Sequence, residues 1–256
     1  MSPQSYISPK AIIGSNVTVE PFSYIQDDVV IGDNTWIGPN VSIFNGARIG
    51  KNCKIYPGAV ISPAPQDLKF DGEITTVEIG DNTTIREHVT IHRGTKDKFK
   101  TVVGNNCLLM VGAHVAHDCQ LGNGIILANN VGIAGHCIIE DFVIIEGLAG
   151  VQQFVRIGRH AFIAGGSLVR KNIPPFVRAA KEPVSFIGVN TVGLKRRGYT
   201  DEMVRQIEDI YRTIYVRGLN LTNALAIVET EAPASAEKDQ IITFIKESVN
   251  GIMRGL

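Results

Sequence analysis

The chain has no net charge, with 25 Lys+Arg against 25 Asp+Glu over 256 residues. A protein that grips nucleic acid with its whole surface is strongly basic, and a disordered segment pairs high net charge with few apolar side chains. At 44% hydrophobic residues this chain fits neither class, so no nucleic-acid partner is expected. It has no run near the roughly 18–20 consecutive apolar residues of a membrane span, and residues 1–10 lack the basic-then-apolar order of a secretory signal. A transmembrane segment is therefore not expected, and the expected location is cytoplasmic. Cysteine is scarce: 4 residues without the paired spacing of a disulfide framework or a zinc cluster. Leucine is scarce too, 12 against 33 Ile and 25 Val. Branching at Cβ favours strands over helices.

The branched residues recur every six positions. Steps of six from Ile7 to Val169 visit 28 positions, of which 25 are Ile, Val or Leu; the exceptions are Asp67, Glu73 and Asp97. Four residues after each aliphatic stands a small side chain, as at Val17, Ser23, Ala47 and Ala113, and all four cysteines (Cys53, Cys107, Cys119, Cys137) occupy that slot. The residue next to the aliphatic is often glycine, as at Gly14, Gly32 and Gly50, which eases a sharp corner. This is the hexapeptide pattern of a parallel β-helix, in which three hexads make a triangular coil of 18 residues and coils stack at about 4.8 Å. The cysteines then read as small hydrophobes inside the prism.

The pattern divides the chain into a β-helix over 1–184, with loops leaving it at about 62–78 and 93–102, and a helical domain over 185–256. Helical spacing follows Thr200, a candidate N-cap, through Val204, Ile207, Ile210, Tyr211 and Ile214. A second helix is expected after Thr222, from Ala224 to Glu229, and a third over 235–253. A β-helix leaves an open coil edge, which such a domain would cover. Between Arg170 and Gly198 the chain carries seven Lys or Arg and one acid, Glu182, a local field suited to an acidic or phosphorylated partner.

All six histidines lie in the repeat. Coils of 18 residues put His117, Gly135 and Gln153 in one column and Asp118, His136 and Phe154 in the next. A histidine can serve as general base near neutrality, and an adjacent carboxylate fixes its tautomer and stabilises the imidazolium. A glycine N–H one coil away can face a developing oxyanion. Metal binding by His114, His117 and His136, as in a zinc hydratase, is the competing use, and spacing alone does not exclude it. No exposed nucleophile and no phosphate-loop or dinucleotide fingerprint stands out, which favours direct transfer to a hydroxyl over a covalent intermediate.

The segments PQDLKF (65–70), IREHVTIHRGT (85–95), AHVAHDCQLGN (113–123), LANNVGIAGH (127–136), VQQF (151–154) and GLKRRGYT (193–200) resemble the UDP-N-acetylglucosamine 3-O-acyltransferase family over essentially the whole chain. The resemblance implies a left-handed parallel β-helix of hexapeptide repeats with a C-terminal α-helical domain, assembled as a homotrimer with active sites between subunits. It implies transfer of a 3-hydroxyacyl chain from acyl carrier protein to the 3-hydroxyl of UDP-N-acetylglucosamine, the first step of lipid A biosynthesis. By the same resemblance His117 is the general base, Asp118 its orienting partner, and the Gly135 N–H faces the thioester oxygen. Asp67 and Lys69 match residues that hold the sugar nucleotide, and His114, His136, Gln153 and Asn190 match others in the substrate site. Arg196 and Arg197 match basic residues near the nucleotide or the carrier protein, and Gly165 matches the position that limits acyl length. No metal and no bound cofactor are implied, the acyl donor being carried on the phosphopantetheine arm of acyl carrier protein. One departure is Gln152, where the family often has histidine. The sister N-acyltransferase has an extra N-terminal uridine-binding domain, not expected here because the repeat starts at Ile7.

Overall fold

The computed structural model describes residues 2–255. Three sheets of nine, eight and ten strands form the walls of a prism, parallel throughout except for the last strand pair. Most strands hold two residues, one outward and one inward, as in His114–Val115 and Gly132–Ile133. Coils stack in register at the expected repeat: Ile25 pairs with Ile43 and Ile133 with Val151. The aliphatic file is the core, with Ile25, Ile43, Ile61, Ile91, Val115 and Ile133 all at 0% exposure. The four cysteines are free and buried beside it.

Both loops lengthen their coils by whole hexads, which is why the file keeps its phase across them. Ile61 pairs with Ile91, two hexads beyond one coil, and Ile91 pairs with Val115, one hexad beyond. Asp67, Glu73 and Asp97 are the inward slots of the three hexads that left the prism, so they carry no aliphatic. The excursions are shorter than the sequence suggested. Thr76–Ile79 and Lys100–Val103 pair with each other from Thr76↔Lys100 onward, leaving 62–75 and 92–99 outside the walls.

Most corners turn through a left-handed residue. Asn34 (φ 59°) and Asn52 (φ 56°) show why asparagine recurs there, since its short polar side chain tolerates that conformation. Asp118, His136 and Phe154 hold the same turn position at φ 60°, 62° and 66°. The side chains of interest thus take a slot that coil geometry aims outward.

Val177–Ala180 and Ser185–Val189 form an antiparallel pair that continues the ten-stranded wall past residue 184. Four helices follow: α1 (Thr191–Arg196), α2 (Asp201–Tyr215), α3 (Leu221–Glu231) and α4 (Ala236–Glu247). Thr200 caps α2 as expected, accepting from the Met203 N–H. Helix α1 had no apolar period to announce it; the Asn190 side chain caps it through the Gly193 N–H. Helix α3 starts three residues earlier than expected because Asn220 caps it, accepting from Asn223 N at 2.8 Å. Helix α4 stops at Glu247 instead of 253. Gly251 turns at φ 71°, and Ile252 and Arg254 then bridge to Asn172 and Ser185. That closing segment, with Met253 N donating to Asn172 O at 2.9 Å, covers the edge left by the last coil. The helices are anchored by Tyr211, whose hydroxyl donates to Pro175 O at 2.6 Å, and by Arg156, which pairs with Glu140 and Glu247 and lies 4.6 Å from the Phe244 ring.

Candidate active site

Strand His114–Val115 runs into the corner that holds His117 and Asp118, at 7% and 2% exposure. His117 Nδ1 lies 2.8 Å from Asp118 Oδ2. A carboxylate can only accept, so Nδ1 carries the proton and Nε2 keeps a free lone pair. The rest of the Asp118 carboxylate is filled from the second loop: Thr95 N–H donates to Oδ1 at 2.9 Å, Thr95 Oγ1 to Oδ2 at 2.7 Å and Lys98 N–H to Oδ1 at 3.1 Å. Burial works against its charge, yet the donors from His117, Thr95 and Lys98 outweigh burial and hold the carboxyl below its ordinary value. The Asp118 N–H is itself fixed by Thr101 Oγ1 at 2.9 Å.

Column arithmetic holds one coil away. A Cβ on Gly135 would meet His117 Cε1 at 2.7 Å and Nε2 at 2.8 Å, so only glycine fits over the imidazole. Its neighbours spend their N–H groups, Ala134 on Val151 O and His136 on His117 O. The Gly135 N–H has no acceptor among the described residues. His136 stands edge-on to His117, with centroids 5.1 Å apart, and stacks on Phe154 at 4.7 Å. Its Nδ1 is 3.0 Å from Asp97 Oδ2, off the line of a hydrogen bond.

Two further imidazoles line the approach. His114 Nδ1 is bonded to Thr90 Oγ1 and His92 Nδ1 to Ala64 O, each at 2.7 Å. Burial pushes both pKa values below the ordinary histidine value, so both are neutral at pH 7. By donating to Ala64 O, His92 ties the first loop to the wall, and Arg93 adds a bond to Ser62 O at 3.1 Å.

Two clefts of about 650 Å³ each share His117, Gln153 and Gln66. One follows the outer face of the nine-stranded wall over Gly132, Gly150 and Leu168. There the absent side chains leave a smooth strip, since a Cβ on Gly132 would meet nothing within 4 Å. The other lies between the loops and is bordered by Asp67, Lys69, Lys96 and His136. A ligand with an apolar and a polar arm would thus place the junction of its arms at His117.

Of the residues singled out from sequence, Asp67, Lys69, His114, His117, Asp118, Gly135, His136 and Gln153 come together here. Four do not. Asn190 is buried, its amide donating to His160 O at 2.9 Å while its oxygen caps α1. Arg197 lies 4.7 Å from the Phe142 ring at a second corner, with Arg196 beside it and exposed. Gly165 sits at the third corner, where a Cβ would meet Gly147 O at 3.2 Å. Sequence reading missed Thr95, Thr101 and His92. The first loop breaks the fixed spacing between Ala64 and His92, and the second breaks it between Thr95 and Asp118, so no column arithmetic pairs them.

His117, Asp118 and His136 offer ligand atoms within 4.8 Å of one another, whereas His114 is held apart by Thr90. A cation there would have to displace donors, because both Asp118 oxygens already accept two hydrogen bonds each.

Prism, outward corner and an imidazole–carboxylate pair with a free Nε2 define a hexapeptide-repeat transferase. Bacterial transferase hexapeptide repeats match residues 28–63 and 100–135, and a domain described as UDP-N-acetylglucosamine O-acyltransferase, domain 2, matches 172–253. An acyl-[acyl-carrier-protein]–UDP-N-acetylglucosamine O-acyltransferase of Janthinobacterium sp. (strain Marseille) is 48% identical over 99% of this chain and 97% of its own. The crystal structure of a Bacteroides fragilis UDP-N-acetylglucosamine acyltransferase superposes with a TM-score of 0.98 at 51% identity, covering 99% of this chain and all of that one. The Francisella novicida enzyme gives 0.95 at 39% identity over 99% and 93%. The chain belongs to the acyl-[acyl-carrier-protein]–UDP-N-acetylglucosamine O-acyltransferase family and is an acyltransferase.

Proposed function

We propose that the chain transfers a 3-hydroxyacyl group from acyl carrier protein to the 3-hydroxyl of UDP-N-acetylglucosamine, opening lipid A biosynthesis in the cytoplasm. The names of its relatives support the donor and acceptor. The observation that carries the reading is the meeting of a smooth apolar cleft and a polar, loop-lined cleft at one imidazole. His117 Nε2 removes the proton of the sugar hydroxyl as the oxygen attacks the thioester carbon. The carbonyl oxygen gains charge facing the Gly135 N–H. As the C–S bond breaks, the imidazolium returns its proton to the departing phosphopantetheine thiolate, so no covalent enzyme intermediate forms and no bound cofactor takes part. Asp118 stays ionised throughout and stabilises the imidazolium. Asp67 and Lys69 border the sugar-nucleotide cleft, and His114, His136 and Gln153 line the junction.

A homotrimer is part of the proposal. Asn190, Arg196, Arg197 and Gly165 match substrate-site residues by resemblance, yet they lie at the two corners of the prism away from His117. Packing copies side by side would bring those corners against the His117 corner of a neighbour. Incubation with UDP-N-acetylglucosamine and a series of 3-hydroxyacyl carrier proteins should yield acylated sugar nucleotide by mass spectrometry, from particles three times the 27.8 kDa chain mass in sedimentation equilibrium. Failure to form product with any chain length would refute the activity, and a monomer at assay concentration would refute the shared site.

A further inference from the structure

We propose that Thr95 is a positioning residue that moderates the His117–Asp118 pair by sharing the carboxylate oxygen to which His117 is bonded. The inference rests on the catalytic reading above. The loop 92–99 carries the single hexad added to the coil below the site, and its one buried hydroxyl returns to the site: Thr95 is 6% exposed. The Asp97 N–H donates to Thr95 Oγ1 at 3.3 Å. That contact occupies the oxygen and points the lone hydroxyl proton at Asp118 Oδ2, the atom 2.8 Å from His117 Nδ1. Two donors on one oxygen divide its charge, so His117 receives less of the carboxylate than it would alone. The backbone donors Thr95 N–H and Lys98 N–H meet the other oxygen and hold the carboxylate plane. Orientation and strength are therefore set by different atoms of the same loop, and only the strength depends on a side chain.

Other charges act on His117 as well. His92 and His114 face it from the wall, both neutral at pH 7, and His136 with Asp97 faces it from the next coil and the loop. Across the cleft stand Asp67, Lys69, Glu73 and Lys96. Removing the Thr95 hydroxyl removes none of these groups, and of their contacts only the 3.3 Å acceptor of the Asp97 N–H is lost.

The test uses the full-length protein carrying ¹⁵N-labelled histidine. In Thr95→Val the His117 Nδ1–H resonance should move downfield from its wild-type position, as the undivided oxygen binds it more strongly. The acid limb of kcat/KM should move up by about one pH unit, because the imidazolium is better stabilised. Thr95→Ser should restore both. Thr95→Ala reads the same two shifts should the valine variant fail to fold. An unmoved or upfield resonance in the variants, or a serine variant that behaves like valine, overturns the proposal. The resonance needs no substrate, so an enzyme inactive toward the proposed donor and acceptor would sink the function without touching this result.

Discussion

Gly135 ties the coil to the His117 imidazole through a single missing Cβ. Because a methyl group there would sit 2.7–2.8 Å from His117 Cε1 and Nε2, Gly135→Ala must push the imidazole off its position while leaving the coil behind it intact. We predict a fall in kcat of about 100-fold, the scale of a 1 Å misplacement, with an unchanged thermal midpoint. A variant with wild-type kcat would show that the column does not set the base. The column His117, Gly135, Gln153 was legible in the sequence because three hexads make a coil and no loop intervenes between those coils. The donors on Asp118 were not legible, since Thr95 and Lys98 belong to the hexad that left the register. His92 was equally hidden, for its partner is a backbone carbonyl in a loop of no fixed period.

At the scale of elements, strands were easier to read than helices. Each inward aliphatic is demanded by burial at every coil, whereas α1 is six residues long with Leu194 as its one buried residue and rests on a cap. The junction between coil and helices holds His160, which stacks between Phe142 and Phe176 with Tyr199 edge-on. Burial, with Arg197 and Arg159 nearby, pushes His160 down from 6.5 to about 4. A histidine kept neutral by the fold takes up its proton first in the unfolded chain. Its contribution is therefore complete above pH 6.5 and is lost progressively down to pH 4, in total about 3 kcal/mol. Asp118 adds a loss at more acid pH, because a carboxyl depressed in the fold stabilises only above its unfolded value and fails as the pH drops through the folded one. Phenylalanine already fills the equivalent turn positions 142 and 176. His160→Phe should therefore lose less stability between pH 7.5 and pH 5 than wild type in urea melts. Equal losses would show that His160 is not the titrating junction.

For the whole molecule, neutrality was the least informative number, since it averages a basic stretch with the rest. That stretch does not act as one patch: Arg170 lines the apolar cleft and pairs with Glu182, while Lys195 pairs with Asp201 at 2.6 Å and Arg197 covers Phe142. The period of six was decisive, because it converts a linear chain into stacked coils and brings residues 18 apart into contact. It could not say which corner of one copy meets which corner of another. The proposed function turns on one proton transfer at the junction of two clefts. The direct test is to compare wild type and His117→Ala at equal concentrations of folded protein, measuring acylated UDP-N-acetylglucosamine formed from a 3-hydroxyacyl carrier protein. Turnover should be lower by about 10²–10⁴-fold in the variant, the usual contribution of a general base, and turnover within about threefold of wild type would show that His117 is not the base.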